Sequence, residues 1–164
     1  NFLDWGMDGE PNNLCDDVIN WLKKNIPSDS NPNKLCWGDS RLGNVLYQDY
    51  KATALLDWEM ASIGDPISDL AWGFAVDDAS SLGLGIKKLE GSLTSSEAIE
   101  IWEKNTDLSS KNYKFYRIFS LLKFSIIMIR VAKKLVINNI IELEKDFYKN
   151  NYISNFLEKE FKEI

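Results

Sequence analysis

The sequence contains no histidine at all. That excludes a Ser-His-Asp triad, a Cys-His dyad and every zinc site with a histidine ligand. Cysteine is nearly as scarce. Cys15 and Cys36 are too few for a four-thiolate metal site, and they read as two buried thiols rather than a disulfide. Positive charge is also in deficit, with 19 Lys plus Arg against 25 Asp plus Glu and a net charge of -6. Nothing in that balance predicts a nucleic-acid surface, which requires a positive field. No apolar run reaches the roughly 18 residues of a membrane span. The longest candidate, Ile118 to Ile137, is broken by Lys123, Arg130, Lys133 and Lys134. The first residues, Asn-Phe-Leu-Asp-Trp-Gly, lack the basic and apolar regions of a signal peptide, so a soluble, cytoplasmic chain is expected. Arginine is rare, and Arg41, Arg117 and Arg130 stand out among 16 lysines.

What is present describes one globular domain. The 164 residues are 45% hydrophobic and 27% charged, the balance of a chain that buries a core. Residues 13–25 carry Leu14, Val18, Trp21 and Leu22 at helical spacing, with acids first and lysines last. Extended pieces follow at 34–37, 44–47 and 52–56, the last two joined by the hairpin-length Gln48-Asp-Tyr-Lys51. Asp65-Pro66 reads as an N-cap with Pro in the first turn of a helix running to about Val76. Residues 77–93 read as loop, and Thr94 to Glu97 as a capping box. A long core helix is expected over 110–137, and one or two more over 139–164. The aromatic residues, Trp5, Trp21, Trp72 and Trp102 among them, read as core or interface residues, and Lys133-Lys134 as a solvated face. The fold class is mostly helical α+β, with all strand signal between 34 and 57.

The chemistry-bearing residues lie in that strand-rich centre: Leu35-Cys-Trp-Gly-Asp-Ser-Arg-Leu-Gly-Asn-Val-Leu-Tyr47, Ala54-Leu-Leu-Asp-Trp-Glu59 and Gly64-Asp-Pro-Ile-Ser-Asp-Leu-Ala71. A hairpin brings Asn44, before one strand, and Asp57, after its partner, to the same end. An amide oxygen and a carboxylate there suit Mg²⁺, which takes few protein ligands and completes its shell with water and phosphate. The apolar residues before Asp57 and Trp58 after it predict a partly buried carboxylate. Asp39 is expected to face the opposite side of the loop as a proton acceptor.

Gly-Asp-x-x-x-x-Asn, Leu-Asp-Trp-Glu and Gly-Asp-Pro-x-x-Asp-Leu-Ala, in this order and spacing, resemble the aminoglycoside phosphotransferase family of kinase-like enzymes. Arg41-Leu-Gly-Asn44 and Leu56-Asp-Trp-Glu59 look most like its branch associated with acyl-CoA dehydrogenases. The resemblance covers about residues 13–135. It implies the C-terminal lobe of a kinase-like fold, with a small hairpin carrying the catalytic loop. It also implies that Asp39 accepts or orients the substrate hydroxyl proton, and that Asn44 and Asp57 hold Mg²⁺ on the phosphates of ATP or GTP. Asp69 and Asp65 become structural braces, while Arg41 and Glu59 lie near enough to touch substrate or phosphate.

Two departures from the family pattern matter. Trp37 stands where the family has histidine, filling the space without reproducing both ring-nitrogen contacts. No nucleotide-covering glycine loop precedes residue 13, and Gly83-Leu-Gly85 lies on the wrong side of the motifs, with Lys88 at the third glycine position. Residues 1–164 are therefore expected to be the substrate lobe alone, its partner being the absent N-terminal lobe. The surface left open is also a candidate homodimer interface. The expected function is transfer of a terminal phosphoryl group to a small-molecule hydroxyl, hydroxyacyl-CoA-like or another alcohol. The alternatives are a non-catalytic binding module built on a degenerate kinase lobe and, more weakly, a metal phosphohydrolase.

Overall fold

The computed structural model describes residues 2–142 and 146–164. In chain order the elements are α1 (Phe2–Met7), α2 (Asn13–Lys24), β1 (Lys34–Cys36), β2 (Val45–Gln48), β3 (Lys51–Leu55), β4 (Ser62–Gly64), α3 (Ile67–Ser81), α4 (Ser95–Thr106), α5 (Tyr113–Ile137) and α6 (Tyr152–Lys162). Single 3₁₀ turns occupy Leu42–Asn44 and Leu82–Leu84. Helix dominates and the strands form two antiparallel pairs, β1 with β4 and β2 with β3.

The helices form because each has an apolar face and a defined start. Asn12 caps α2 by accepting the Cys15 N–H, and Lys23 and Lys24 end it favourably. Thr94 and Glu97 make the reciprocal capping box of α4. Asn151 begins α6 by accepting the N–H groups of Ile153 and Ser154. The 25 residues of α5 span about 37 Å at 1.5 Å per residue. Its Ile118, Leu121, Leu122, Ile126 and Ile129 pack with Val18 and Leu22 of α2, Ala75 and Ala79 of α3, and Ile153 and Leu157 of α6. Leu121 and Leu157 are wholly buried, each worth about 1.5–3 kcal/mol of transfer energy. Gly6 lets α1 lie directly on α5, since a Cβ there would stand 2.3 Å from Ile126 Cγ2.

Charge ties the same helices together. Arg117 of α5 donates to Asp78 of α3 at 2.8 Å and to both oxygens of Glu160 of α6 at 2.7 and 3.0 Å. Burial disfavours the charged guanidinium, but Glu160 and Asp78 outweigh it and hold the group firmly protonated.

Several expectations change. Helix α3 continues to Ser81, so the loop begins later than residue 77. Past Val76, Asp78 and Ala79 are still buried. Strand β4 lies beyond the region of strand signal; three residues are too few to show alternation, and pairing with β1 defines them. The Asp49-Tyr50 loop has positive φ at both positions, the geometry of a two-residue hairpin turn, without the usual glycine. Lys133 is no free solvated charge. It donates to the Met7 carbonyl at the end of α1 and pairs with Asp8 at 3.6 Å. Of the tryptophans read as core or interface, Trp72 is core at 4% exposed and Trp5 is not, at 46%. Of the region 139–164, α6 is the one helix among the described residues; 139–142 and 146–151 are turns and irregular backbone, and 143–145 lie outside the described residues. Cys15 and Cys36 are buried free thiols, and burial pushes the Cys15 thiol up to about 12. No helix among the described residues is long and apolar enough to cross a membrane.

Candidate active site

The loop 37–44 is held by α3 from below and by the end of β3 from the side. Asp69, in the first turn of α3, accepts the backbone N–H of Trp37 at 2.7 Å and of Gly38 at 2.8 Å. Ser40 Oγ donates back to the Asp69 carbonyl. Trp72 and Gly73 lie three and four residues on, hence on the same helix face. A Cβ on Gly73 would come 2.6 Å from the Ser40 carbonyl oxygen, so α3 can approach this closely only with glycine there. Gly38 adopts φ +89°, and a Cβ on it would meet the Met60 carbonyl oxygen at 2.1 Å.

Trp37 takes the position where the resemblance expects histidine. Its indole N–H donates to the Leu56 carbonyl at 2.7 Å, and its ring lies 6.1 Å from that of Trp58. Leu56 N–H in turn donates to the Asn44 carbonyl at 2.8 Å. The peptide before Asp57 is thus fixed from both sides. Asp57 itself adopts φ +60°, a left-handed conformation costing a non-glycine residue about 1 kcal/mol or more.

Asp39 is the centre of the arrangement. It is 9% exposed and accepts three side-chain hydrogen bonds: Trp72 Nε1 to Oδ1 at 2.7 Å, Arg41 Nε to Oδ2 at 2.9 Å and Asn44 Nδ2 to Oδ2 at 2.7 Å. Burial alone pushes its carboxyl up. The bonds from Trp72, Arg41 and Asn44, with the Arg41 charge, outweigh burial and hold it below the usual carboxylate value. A carboxylate offers about four acceptor positions. Oδ2 is filled, whereas Oδ1 has one position left beside the indole.

The register Val45↔Leu55 brings Asn44 and Asp57 to one end of the hairpin. Asn44 is buried, and its Nδ2 faces Asp39, so its amide Oδ1 points away and receives no donor among the described residues. An amide oxygen and a carboxylate at one end of a hairpin are the kind of hard-oxygen ligands that could hold Mg²⁺, which takes few protein ligands. No cluster of three or more Asp, Glu or Cys converges among the described residues, so no all-protein cage exists there.

Two expectations are corrected here. Asp39 does not face away from Asn44; the two side chains are hydrogen-bonded to each other. Asp57 is exposed rather than partly buried, because β3 leaves the body of the protein before it. Arg41 sits on Asp39 with its side chain 48% exposed, and Glu59 is exposed. Asp65 accepts Ile67 N–H at 3.1 Å and ties down Asn31 through its backbone and side-chain N–H groups. The assigned α3 boundary follows Pro66, which is already helical at φ -63°, ψ -17°; Asp65 therefore caps from one residue earlier. Sequence reasoning did not place Trp72 or Lys123 at the site. Trp72 was readable from its i+3 relation to Asp69. Lys123, whose Nζ stands over the Trp72 ring, shows in the sequence only as a cation set among the core positions Leu121, Leu122 and Ile126 of α5.

Comparison with known proteins bears on the family and the fold. The pattern of the phosphotransferase enzyme family, APH, matches residues 4–95. Acyl-CoA dehydrogenase family member 11 of Homo sapiens is 45% identical over 53 residues, 31% of this chain and 7% of that protein. Family member 10 of Mus musculus is 28% identical over 135 residues, 71% of this chain and 12% of that protein. The chain thus corresponds to a small part of these relatives. A crystal structure from Ralstonia eutropha, described as a candidate aminoglycoside phosphotransferase, superimposes with a TM-score of 0.73. It is 21% identical, and the match covers 98% of this chain and 54% of the other. That likeness establishes the kinase-like fold, and with a family match extending over more than half of its residues the chain belongs to the phosphotransferase enzyme family.

Proposed function

We propose that this chain is the substrate lobe of a Mg²⁺-dependent phosphotransferase that moves the terminal phosphoryl group of ATP or GTP to a hydroxyl of a small molecule. The observation that carries the reading is Asp39: a buried, ionised carboxylate oriented by three donors, with one acceptor position open on Oδ1. A substrate O–H hydrogen-bonded there directs its oxygen lone pair at the terminal phosphorus. As the new O–P bond forms and the bond to the bridging oxygen breaks, the proton passes to Asp39. The depressed proton affinity of Asp39 fits a group that chiefly orients the nucleophile and takes the proton late, as a loose phosphoryl-transfer transition state allows.

Asn44 Oδ1 and Asp57 would hold the metal, which when bound neutralises charge on the phosphate oxygens. Arg41, half exposed on Oδ2, can turn outward to a phosphate without unseating Asp39, because Asn44 and Trp72 remain. Glu59 lies two residues beyond Asp57 on the same exposed rim. The acyl-CoA dehydrogenase relatives favour a hydroxyacyl thioester among possible alcohols. An N-terminal nucleotide lobe is the expected partner: Leu42, Leu46, Tyr47, Leu55, Leu56 and Trp58 leave an apolar surface around the hairpin exposed.

Adding Mn²⁺ and a non-hydrolysable ATP analogue to the isotopically labelled chain tests this reading. The Asn44 side-chain amide and the Asp57 backbone N–H should broaden selectively. Absence of any response at millimolar nucleotide would favour a non-catalytic module.

A further inference from the structure

Lys123 lies in the middle of α5, half-buried, on a helix whose neighbouring positions Leu121, Leu122 and Ile126 are core. It forms no ion pair among the described residues. Instead its Nζ stands 4.0 Å from the centroid of the Trp72 ring and 5.9 Å from that of Phe119. The edge of Trp72 is fixed by Phe124, whose ring meets it at 77° and 6.1 Å. The indole N–H of Trp72 donates to Asp39 Oδ1 at 2.7 Å. An ammonium on an indole face draws electron density from the ring and makes its N–H a stronger donor. The charge of Lys123 therefore reaches Asp39 by a built connection through one side chain.

We propose that Lys123 is a positioning residue for Asp39: seated on Trp72, it fixes and strengthens the indole hydrogen bond that orients the carboxylate for phosphoryl transfer. This rests on the phosphotransferase reading above. The division of labour with Arg41 is physical. Arg41 holds Oδ2 from an exposed loop and is free to leave for a phosphate, whereas Lys123 and Trp72 hold Oδ1 from the core and stay. The charged groups around Asp39 are Arg41 on its own loop, Asp69 on α3 and Lys123 on α5. Burial lowers the proton affinity of Lys123, and Asp39 and Asp69 offset this only in part, so its titration should fall below the usual lysine range.

Carbon-13 titrations of the chain test the connection without any requirement for turnover. In the wild type, Trp72 ring carbons and Lys123 Cε should share one alkaline midpoint, below that of an ordinary lysine. In Lys123→Met the Asp39 carboxyl midpoint should rise by about half a pH unit or more. Lys123→Arg should restore it, and in a Trp72→Phe background the effect of Lys123→Met should at least halve. Trp72 resonances that ignore the titration of Lys123 overturn the proposal; that measurement needs no variant to fold. An unchanged Asp39 midpoint in folded Lys123→Met, or an equal shift with and without the indole, overturns it as well. Failure of the phosphotransferase reading would appear elsewhere, as unchanged phosphoryl transfer in Asp39→Asn.

Discussion

At the scale of single residues, the site depends on close approaches that tolerate no added atom. Gly73 sits where α3 passes the backbone of Ser40, and Gly73→Ala forces a methyl group to 2.6 Å from a carbonyl oxygen. We predict a loss of about 1–3 kcal/mol, read from urea midpoints, with the Asp39 hydrogen bonds disturbed because the loop must shift. Asp39 makes a second prediction. Its carboxyl is held below the ordinary value in the folded chain, so the unfolded chain binds the proton more readily. Its contribution is complete above the unfolded value and disappears as pH falls through the lower folded value. Comparing urea midpoints at neutral pH with those near the acid limit should show a smaller fall for Asp39→Asn than for wild type. An identical fall in both would remove Asp39 from the acid response. The motif spacing singled out Asp39, Asn44 and Asp57 as candidates, and the structure brings Asn44 against Asp39 and to the same hairpin end as Asp57. The contacts of Trp72 with Asp39 and of Lys123 with Trp72 were not legible in the sequence, although the i+3 relation to Asp69 put Trp72 on the right face, because they join segments 33 and 51 residues apart along the chain, which no local spacing encodes.

At the scale of elements, the helices were legible wherever apolar period and cap agreed. The capping box at Thr94 and the acid-to-base run of α2 mark their starts and ends without tertiary help. The end of α3 was harder, because Asp77, Asp78 and Ser81 look like loop residues. Their helical state is stabilised by partners elsewhere: Asp78 meets Arg117 and Lys88, and Asp77 meets Lys88. Arg117 is the common tie of α3, α5 and α6. Arg117→Met should destabilise the chain by at most about 3–5 kcal/mol, since Glu160 loses its cation and Asp78 keeps only Lys88. Thermal unfolding checks this. A loss below 1 kcal/mol would mean that the two carboxylates find solvent and that the tie is dispensable.

At the scale of the whole molecule, the chain is a helical body with one polar loop and one hairpin on its surface, and it corresponds to about half of its structural neighbour. The core secures α3 and α5: Asp69 of α3 holds the loop beneath Asp39, Trp72 of α3 donates to Asp39 itself, and Lys123 of α5 sits on the Trp72 ring. The hairpin, by contrast, has buried Asn44 and exposed Asp57 at one end, where the proposed function puts the metal and the nucleotide. Under the proposed function, orientation of the hydroxyl falls to this lobe and most of the nucleotide contacts to the lobe that joins it. The measurement that tests this most directly is transfer of labelled terminal phosphate from ATP or GTP to hydroxyl substrates, by the chain joined to a nucleotide-binding lobe. Transfer should require Mg²⁺ and fall by about 10²–10⁴-fold in kcat for Asp39→Asn. Transfer at an unchanged rate in that variant would contradict the proposed function.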